Sequence, residues 1–287
     1  MSYLHGFDSK NIPSEAELTK GEKFSILYHS IFDYPLSFSE LIKWKFEGSF
    51  KFNKVSEIDI DYKNGFYFIK GKECLLYKRK TRERISKKKI EYAKKATKLI
   101  SFIPSVKFVG LTGSLAMNNA EEGSDIDLII ITKKGHLWSS RMFTYFLLKT
   151  MGYEVRKPKQ MFQKDKLCLN MWLDESDLVW PSKNRNIYTA HEILQIVPLL
   201  TKENIFEKLL KVNKWVLKYW PNVVKIPNTS NKFKDMKLNS LSLIENLLFK
   251  IQHFYMKKKI TKEQISQTKA IFHPRNLSKQ ILAKIRP

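Results

Sequence analysis

The part of this sequence best suited to chemistry is Gly113-Ser114, a spacer of ten residues, then Asp125-Ile126-Asp127 at the head of an apolar run. Residues i and i+2 of a strand project to the same side, so carboxylates at 125 and 127 would converge on one point. Burying one unpaired carboxylate is costly, and two side by side demand a counter-charge. A divalent cation supplies it. Mg²⁺ takes one or two carboxylates plus substrate phosphates, and a pair of such ions can stabilise both the attacking and the leaving oxygen of an in-line displacement at phosphorus. Gly113 would let backbone N–H groups approach a triphosphate, and the Ser114 hydroxyl can donate to it. The same residues also fit a Ser-Asp turn before an ordinary strand, with Asp127 capping a neighbour, but that reading leaves the second inward carboxylate unpaired.

The fuller string TGSLAMNNAEEGSDIDL resembles the signature of the polymerase-β-like nucleotidyltransferase superfamily, above all its minimal nucleotidyltransferases, whose motif often ends in Ser-Asp-x-Asp-Leu. The resemblance implies Mg²⁺ or Mn²⁺ on Asp125 and Asp127, an NTP (ATP or CTP) with its phosphates against Gly113, Ser114 and Ser124, and transfer of a nucleoside monophosphate to an acceptor. It also implies a third carboxylate from a neighbouring strand. The strand available is KLCLNMWLD, residues 166–174, whose middle polar residue is Asn170. An amide ligates weakly and cannot act as a base. Asp174 shares the parity of Asn170 but lies roughly 13 Å further along a strand rising ~3.3 Å per residue. Either Asn170 replaces the third carboxylate, or Asp174 or Glu175 enters by a bulge, or catalysis is reduced. Glu192, in TAHEIL, is a substitute base or an ordinary exposed helical residue.

The elements that must position these residues are read from periodicity and punctuation. From Lys23 to Glu47 the pattern is helical, with a break at Asp33–Pro35 and Ser37 or Ser39 as the cap of a second helix running to Gly48. Asn64-Gly65 between two aromatic-rich extended segments predicts a hairpin. Helices then a hairpin in a short span resemble a winged helix-turn-helix, or else a small α+β cap. Residues 106–113 and 125–132 read as strands, 137–152 as a helix stopped by Gly152, and 166–174 as a strand. Residues 188–200 and 205–220 read as helices, 221–239 as a polar linker, and 241–264 as a final helical region before a basic tail. The expected fold class is α+β: a winged-helix-like unit at 1–77, a basic linker helix at 78–104, a nucleotidyltransferase core with a short mixed sheet at 105–182, and a C-terminal helical region at 183–287.

Charge narrows the partners. Fifty-two Lys and Arg against 28 Asp and Glu give +24 in 287 residues, which favours nucleic acid, with an acidic protein partner as the other use of such a surface; the nucleotidyltransferase resemblance makes RNA the favoured nucleic acid. Residues 78–98 carry eleven Lys or Arg and two Glu, and a run this basic repels itself unless an anion lies alongside. Lys87, Lys88 and Lys89 are the expected phosphate contacts there, with Lys257, Lys258 and Lys259 beside Tyr255 as a second basic-aromatic neighbourhood. Trp215 and Trp220 read as core, and His191 and His273 as structural. No membrane span is expected, since no stretch nears the ~20 apolar residues that one needs. The opening residues lack the pattern of a signal peptide, and Cys74 and Cys168, far apart, read as reduced thiols of a cytoplasmic protein. Three functions remain: nucleotidyl transfer to RNA, for instance a tRNA-like 3′ end; transfer to a protein or small molecule, as in toxin-antitoxin pairs; or a nucleic-acid-binding regulator with an impaired nucleotidyltransferase site.

Overall fold

Capping boxes start the first two helices. Thr19 caps α1 (Lys20–Ser30) while Glu22 returns to the Thr19 N–H, and Ser37 caps α2 (Phe38–Lys43) with Glu40 returning in the same way. Of the two caps available to the second helix, Ser37 is the one used, and the helix stops at Lys43, short of Gly48. A computed structural model describes residues 17–48, 58–157, 162–226, 242–257, 264–272 and 277–285. The chain divides into one unit of Met1–Lys80, Leu217–Lys225 and Ile281–Pro287, and another of Thr81–Val216 and Ile226–Gln280.

In the first unit, β1 (Leu36–Ser37), β2 (Ile60–Lys63) and β3 (Phe66–Ile69) form an antiparallel sheet in the order β1-β3-β2. Asn64 and Gly65 both take positive φ, +54° and +86°, the mirror-image turn that suits the twist of a hairpin. Phe24, Tyr28, Trp44 and Trp220 are buried together. Arg79 lies over the Tyr34 ring, 3.8 Å from its centroid, and donates to Glu40 at 2.7 Å and to the Pro35 carbonyl at 3.1 Å. Residues 49–57, between α2 and the hairpin, lie outside the described residues, and the winged-helix reading of this unit stays an expectation.

The second unit holds a six-stranded sheet. Its strands are β4 (Val106–Leu111), β5 (Ile126–Thr132), β6 (Leu167–Asp174), β7 (Val197–Thr201), β8 (Gln264–Ile265) and β9 (Lys269–Ile271), in the order β7-β4-β5-β6-β9-β8. Among the described strands only β5 and β6 pair in parallel, and they are joined through α5 (Leu137–Thr150). Ile126, Leu128 and Ile130 face a core completed by α3 (Cys74–Ile100, shared by sequence between the units) and α5. Ile129 and Ile131 face a second core with Ile205 and Leu209 of α7 (Ile205–Val212). The fold class is α+β.

Three elements depart from the local reading. Helix α6 (Ile187–Leu194) ends early, and Val197–Thr201 pairs antiparallel with β4 as an edge strand, where Pro198 removes no bond from a central ladder. Helix α7 stops at Val212, where the fully buried Asn213 ties the last turn of the helix to the loop before it. Its Oδ1 accepts from the Trp180 N–H, and its Nδ2 donates to the Leu178 and Leu209 carbonyls. Beyond α8 (Leu243–Lys257), residues 264–271 add the β8–β9 hairpin to the sheet. Helix α8 also supplies Glu245, whose carboxylate accepts from the Trp138 and Ser139 N–H groups at 3.0 Å each and so caps α5 from a distant part of the chain.

Candidate active site

The end of β4 and the beginnings of β5 and β6 meet at one end of the central strands, and polar residues gather there. Asp125, immediately before β5, lies in line with Asp127, Ile129 and Ile131 of that strand. The covering core reaches the two isoleucines, and the carboxylates stand at the open end of the row. The chain turns into the site through Thr112, whose N–H donates to the Asp127 carbonyl at 3.0 Å. Gly113 follows with φ +63°, opening the short helix α4 (Gly113–Ala116), and a Cβ there would come within 2.8 Å of Asp127 Oδ2. Glycine is required twice, for the left-handed backbone and for the close approach to the carboxylate.

Cys168 is the cross-strand partner of Asp127 in the parallel pair, and Asn170 follows in a bulge of β6, where Cys168–Met171 runs against Asp127–Ile129. Asn170 Nδ2 donates to Asp127 Oδ1 at 2.7 Å, while its own Oδ1 is buried without a hydrogen-bond partner among the described residues. Arg156, from the segment leading into β6, donates through Nη1 to Asp125 Oδ2 at 2.7 Å and to Cys168 Sγ at 3.4 Å. Among the described residues one guanidinium faces two carboxylates. Burial and then the Asp125 charge push Asp127 up to about 7. Helix α6, capped by Asn186, presents Glu192 and Tyr188 one turn apart toward the same charge. Burial and then Asp127 push Glu192 up to about 8, and Glu192 accepts from Gln195 Nε2 at 2.7 Å. Tyr188 is pushed up by burial, Glu192 and Asp127 in that order.

A model of the nucleotidyltransferase domain family matches residues 93–276, well over half of the chain. The chain belongs to the nucleotidyltransferase domain family. No curated protein matches it at a significant level. Membership makes the chain a nucleotidyltransferase enzyme, of a kind that generally uses an NTP and a divalent metal. The donor set fits such an ion: ligand atoms of Asp125, Asp127 and Cys168 all lie within 4.8 Å of one another, the carboxylates are undercompensated, and an amide oxygen is left over beside them.

Several residues that the sequence proposed for this nucleotidyltransferase stand elsewhere. Asp174 sits at the far end of the β5–β6 pair, opposite Thr132, where it accepts from the N–H groups of Gly135 and Ser176. Glu175 accepts from the Lys134 N–H. Neither reaches Asp127, because the register places Cys168 and Asn170 there. Ser114 is exposed next to Gly113, whereas the Ser124 hydroxyl donates to the Glu121 carbonyl within its turn. His191 is buried in α6 and stands outside the donor group.

The basic run splits. Lys87 and Lys88 are exposed, but Lys89 is buried and donates to the Glu122 and Ser124 carbonyls and to Asp165. Lys89 therefore anchors the loop that delivers Asp125 and does not meet phosphate at the surface, which corrects the expectation of a phosphate contact at Lys89. Arg82 is likewise engaged, with Glu121 and Asn119. Lys257 is exposed, while Lys258, Lys259 and His273 lie outside the described residues. Local sequence signals missed Arg156 and Cys168. Only the shared strand parity of Cys168 with Asn170 hinted at the thiol.

Proposed function

We propose that this nucleotidyltransferase moves a nucleoside monophosphate from an NTP to RNA, with a divalent metal held by Asp125 and Asp127. The observation that carries the reading is the convergence of these carboxylates with Gly113, whose left-handed backbone brings the chain against Asp127. A bound ion would neutralise the triphosphate and the charge that develops at the transferred phosphorus. The residues of the chain do the rest. The N–H groups after Gly113 and the Ser114 hydroxyl bind the phosphates. Asn170 orients Asp127 through its amide, and Glu192, raised toward neutrality and sensing the Asp127 charge, accepts the proton of the attacking hydroxyl.

The acceptor reading rests on α3. Arg84, Lys87, Lys88, Lys95 and Lys98 are exposed at helical spacing on the face away from the Lys89 anchor, a stripe suited to tracking a phosphate backbone. A protein acceptor is the second reading, favoured by α8, where Leu243, Leu247 and Phe254 are 90%, 58% and 78% exposed. Incubation with each labelled NTP, Mg²⁺, Mn²⁺ or Co²⁺, and separate total RNA and protein fractions tests both. Label in RNA that is lost with Asp127→Asn is the expected result, label in protein alone moves the assignment to the second reading, and no labelling under any metal overturns the activity.

A further inference from the structure

The residue facing Asp127 across the parallel pair is a thiol. Cys168 Sγ and carboxylate oxygens of Asp125 and Asp127 lie within 4.8 Å of one another, a spacing that small side-chain rotations close onto one ion. A cation already touches two of these donors, since Arg156 Nη1 is 2.7 Å from Asp125 Oδ2 and 3.4 Å from Cys168 Sγ. Asn170 is 8% exposed, holds Asp127 through Nδ2, and keeps in the same cluster a buried Oδ1 without a partner among the described residues. Among the described residues no acidic side chain occupies the neighbouring-strand place that the superfamily resemblance reserves for a third carboxylate, because Asp174 is committed at the other end of β6.

We propose that Cys168 is the third metal ligand of this site, and that it makes the site select a thiophilic divalent cation, Co²⁺ or Zn²⁺, over Mg²⁺. This rests on the reading of Asp125 and Asp127 as the metal pair. Thiolate is a soft donor that favours such ions, whereas Mg²⁺ requires oxygen ligands in near-octahedral array. On binding, the thiol proton goes to solvent as the metal–sulfur bond forms, the Arg156–Asp125 ion pair opens, and no oxidation state changes. Arg156 is then the resident counter-ion of the metal-free protein, released toward the anionic substrate.

The test is a Co²⁺ titration of the full chain carrying Cys74→Ser, so that Cys168 is its remaining thiol. A thiolate-to-cobalt charge-transfer band in the near ultraviolet should grow to one equivalent, and Mg²⁺ should compete for the site weakly. Cys168→Ser should lose the band and weaken Co²⁺ binding by about tenfold or more. Cys168→Asp should lose the band and gain Mg²⁺ affinity. Circular dichroism verifies that each variant is folded, and the band in the parent protein is informative without any variant. Saturable Co²⁺ binding with no band, or an unchanged Co²⁺ affinity in Cys168→Ser, would make the thiol a bystander and overturn the proposal while the carboxylate pair stands. Absence of any divalent-metal binding, with or without NTP, would remove the carboxylate pair itself and this inference with it.

Discussion

Replacing Lys89 by glutamine should destabilise the protein while leaving nucleic-acid binding per folded molecule close to the parent, and replacing Lys87 and Lys88 together should do the reverse. Lys89 is 3% exposed, and its Nζ donates to Ser124 O at 2.8 Å, Glu122 O at 3.1 Å and Asp165 Oδ1 at 2.6 Å. A hydrogen bond involving a charged group contributes about 1.5–3 kcal/mol. A glutamine amide recovers part of this, and Asp165, with its side chain 48% exposed, stays solvated when its partner goes. The loss therefore falls below that of stranding a wholly buried charge, at about 2–4 kcal/mol. For a domain of this size that lowers the melting temperature by about 5–15 °C. Because Lys89 grips the carbonyl of Ser124, immediately before Asp125, metal binding should weaken as well. In Lys87→Gln/Lys88→Gln the melting temperature should hardly move, since exposed substitutions usually stay within about 0.5 kcal/mol. Its salt dependence of RNA binding should flatten by about 2 in slope, at ~0.9 for each phosphate left unneutralised. Thermal unfolding and gel shifts across a salt series read both effects. If Lys89→Gln melts like the parent, or if it alone flattens the salt slope, the assignment of Lys89 to the loop is wrong.

Asp127 and Glu192 are both raised above their ordinary values, to about 7 and about 8. Their contribution to metal-free stability is therefore whole below about pH 4 and is lost as pH rises through about 7 to 8. Asp127→Asn should accordingly raise the melting temperature of the metal-free protein at about pH 8 while abolishing metal-dependent NTP binding, and a lowered melting temperature there would count against the crowded-carboxylate picture. Gly113→Ala should cost about 1–2 kcal/mol for the left-handed backbone and displace Asp127, so calorimetry should show metal affinity falling by more than the stability loss explains. Asn170→Asp removes the donor to Asp127 and adds a ligand; it should lower the metal-free melting temperature at neutral pH and raise metal affinity, and the opposite pair of shifts would show that Asn170 matters only as a donor. Glu192→Gln should depress turnover with little change in NTP affinity, and equal turnover would exclude it as the base.

Local rules carried a definite share of this molecule. The Asn64-Gly65 turn, the Ser37 cap and the stop at Gly152 were legible because each depends on a few adjacent residues and their backbone preferences. The convergence of Asp125 and Asp127 follows from the two-residue period of an extended segment, whereas Asn170 stands beside them at a bulge, where Cys168–Met171 of β6 runs against Asp127–Ile129 of β5. What faces that pair did not follow, because it depends on the register between β5 and β6, strands some forty residues apart. That register puts Cys168 opposite Asp127, sends Asp174 to cap a loop at the far end, and brings Arg156 onto Asp125. The same holds for Lys89, indistinguishable in sequence from Lys87 and Lys88 until α3 packs on the 121–125 loop, and for Val197–Thr201, whose helical continuation from α6 loses to an open edge on β4. Period and punctuation are properties of a segment, whereas burial, register and counter-charge are properties of what packs against it, and only the tertiary structure decided those.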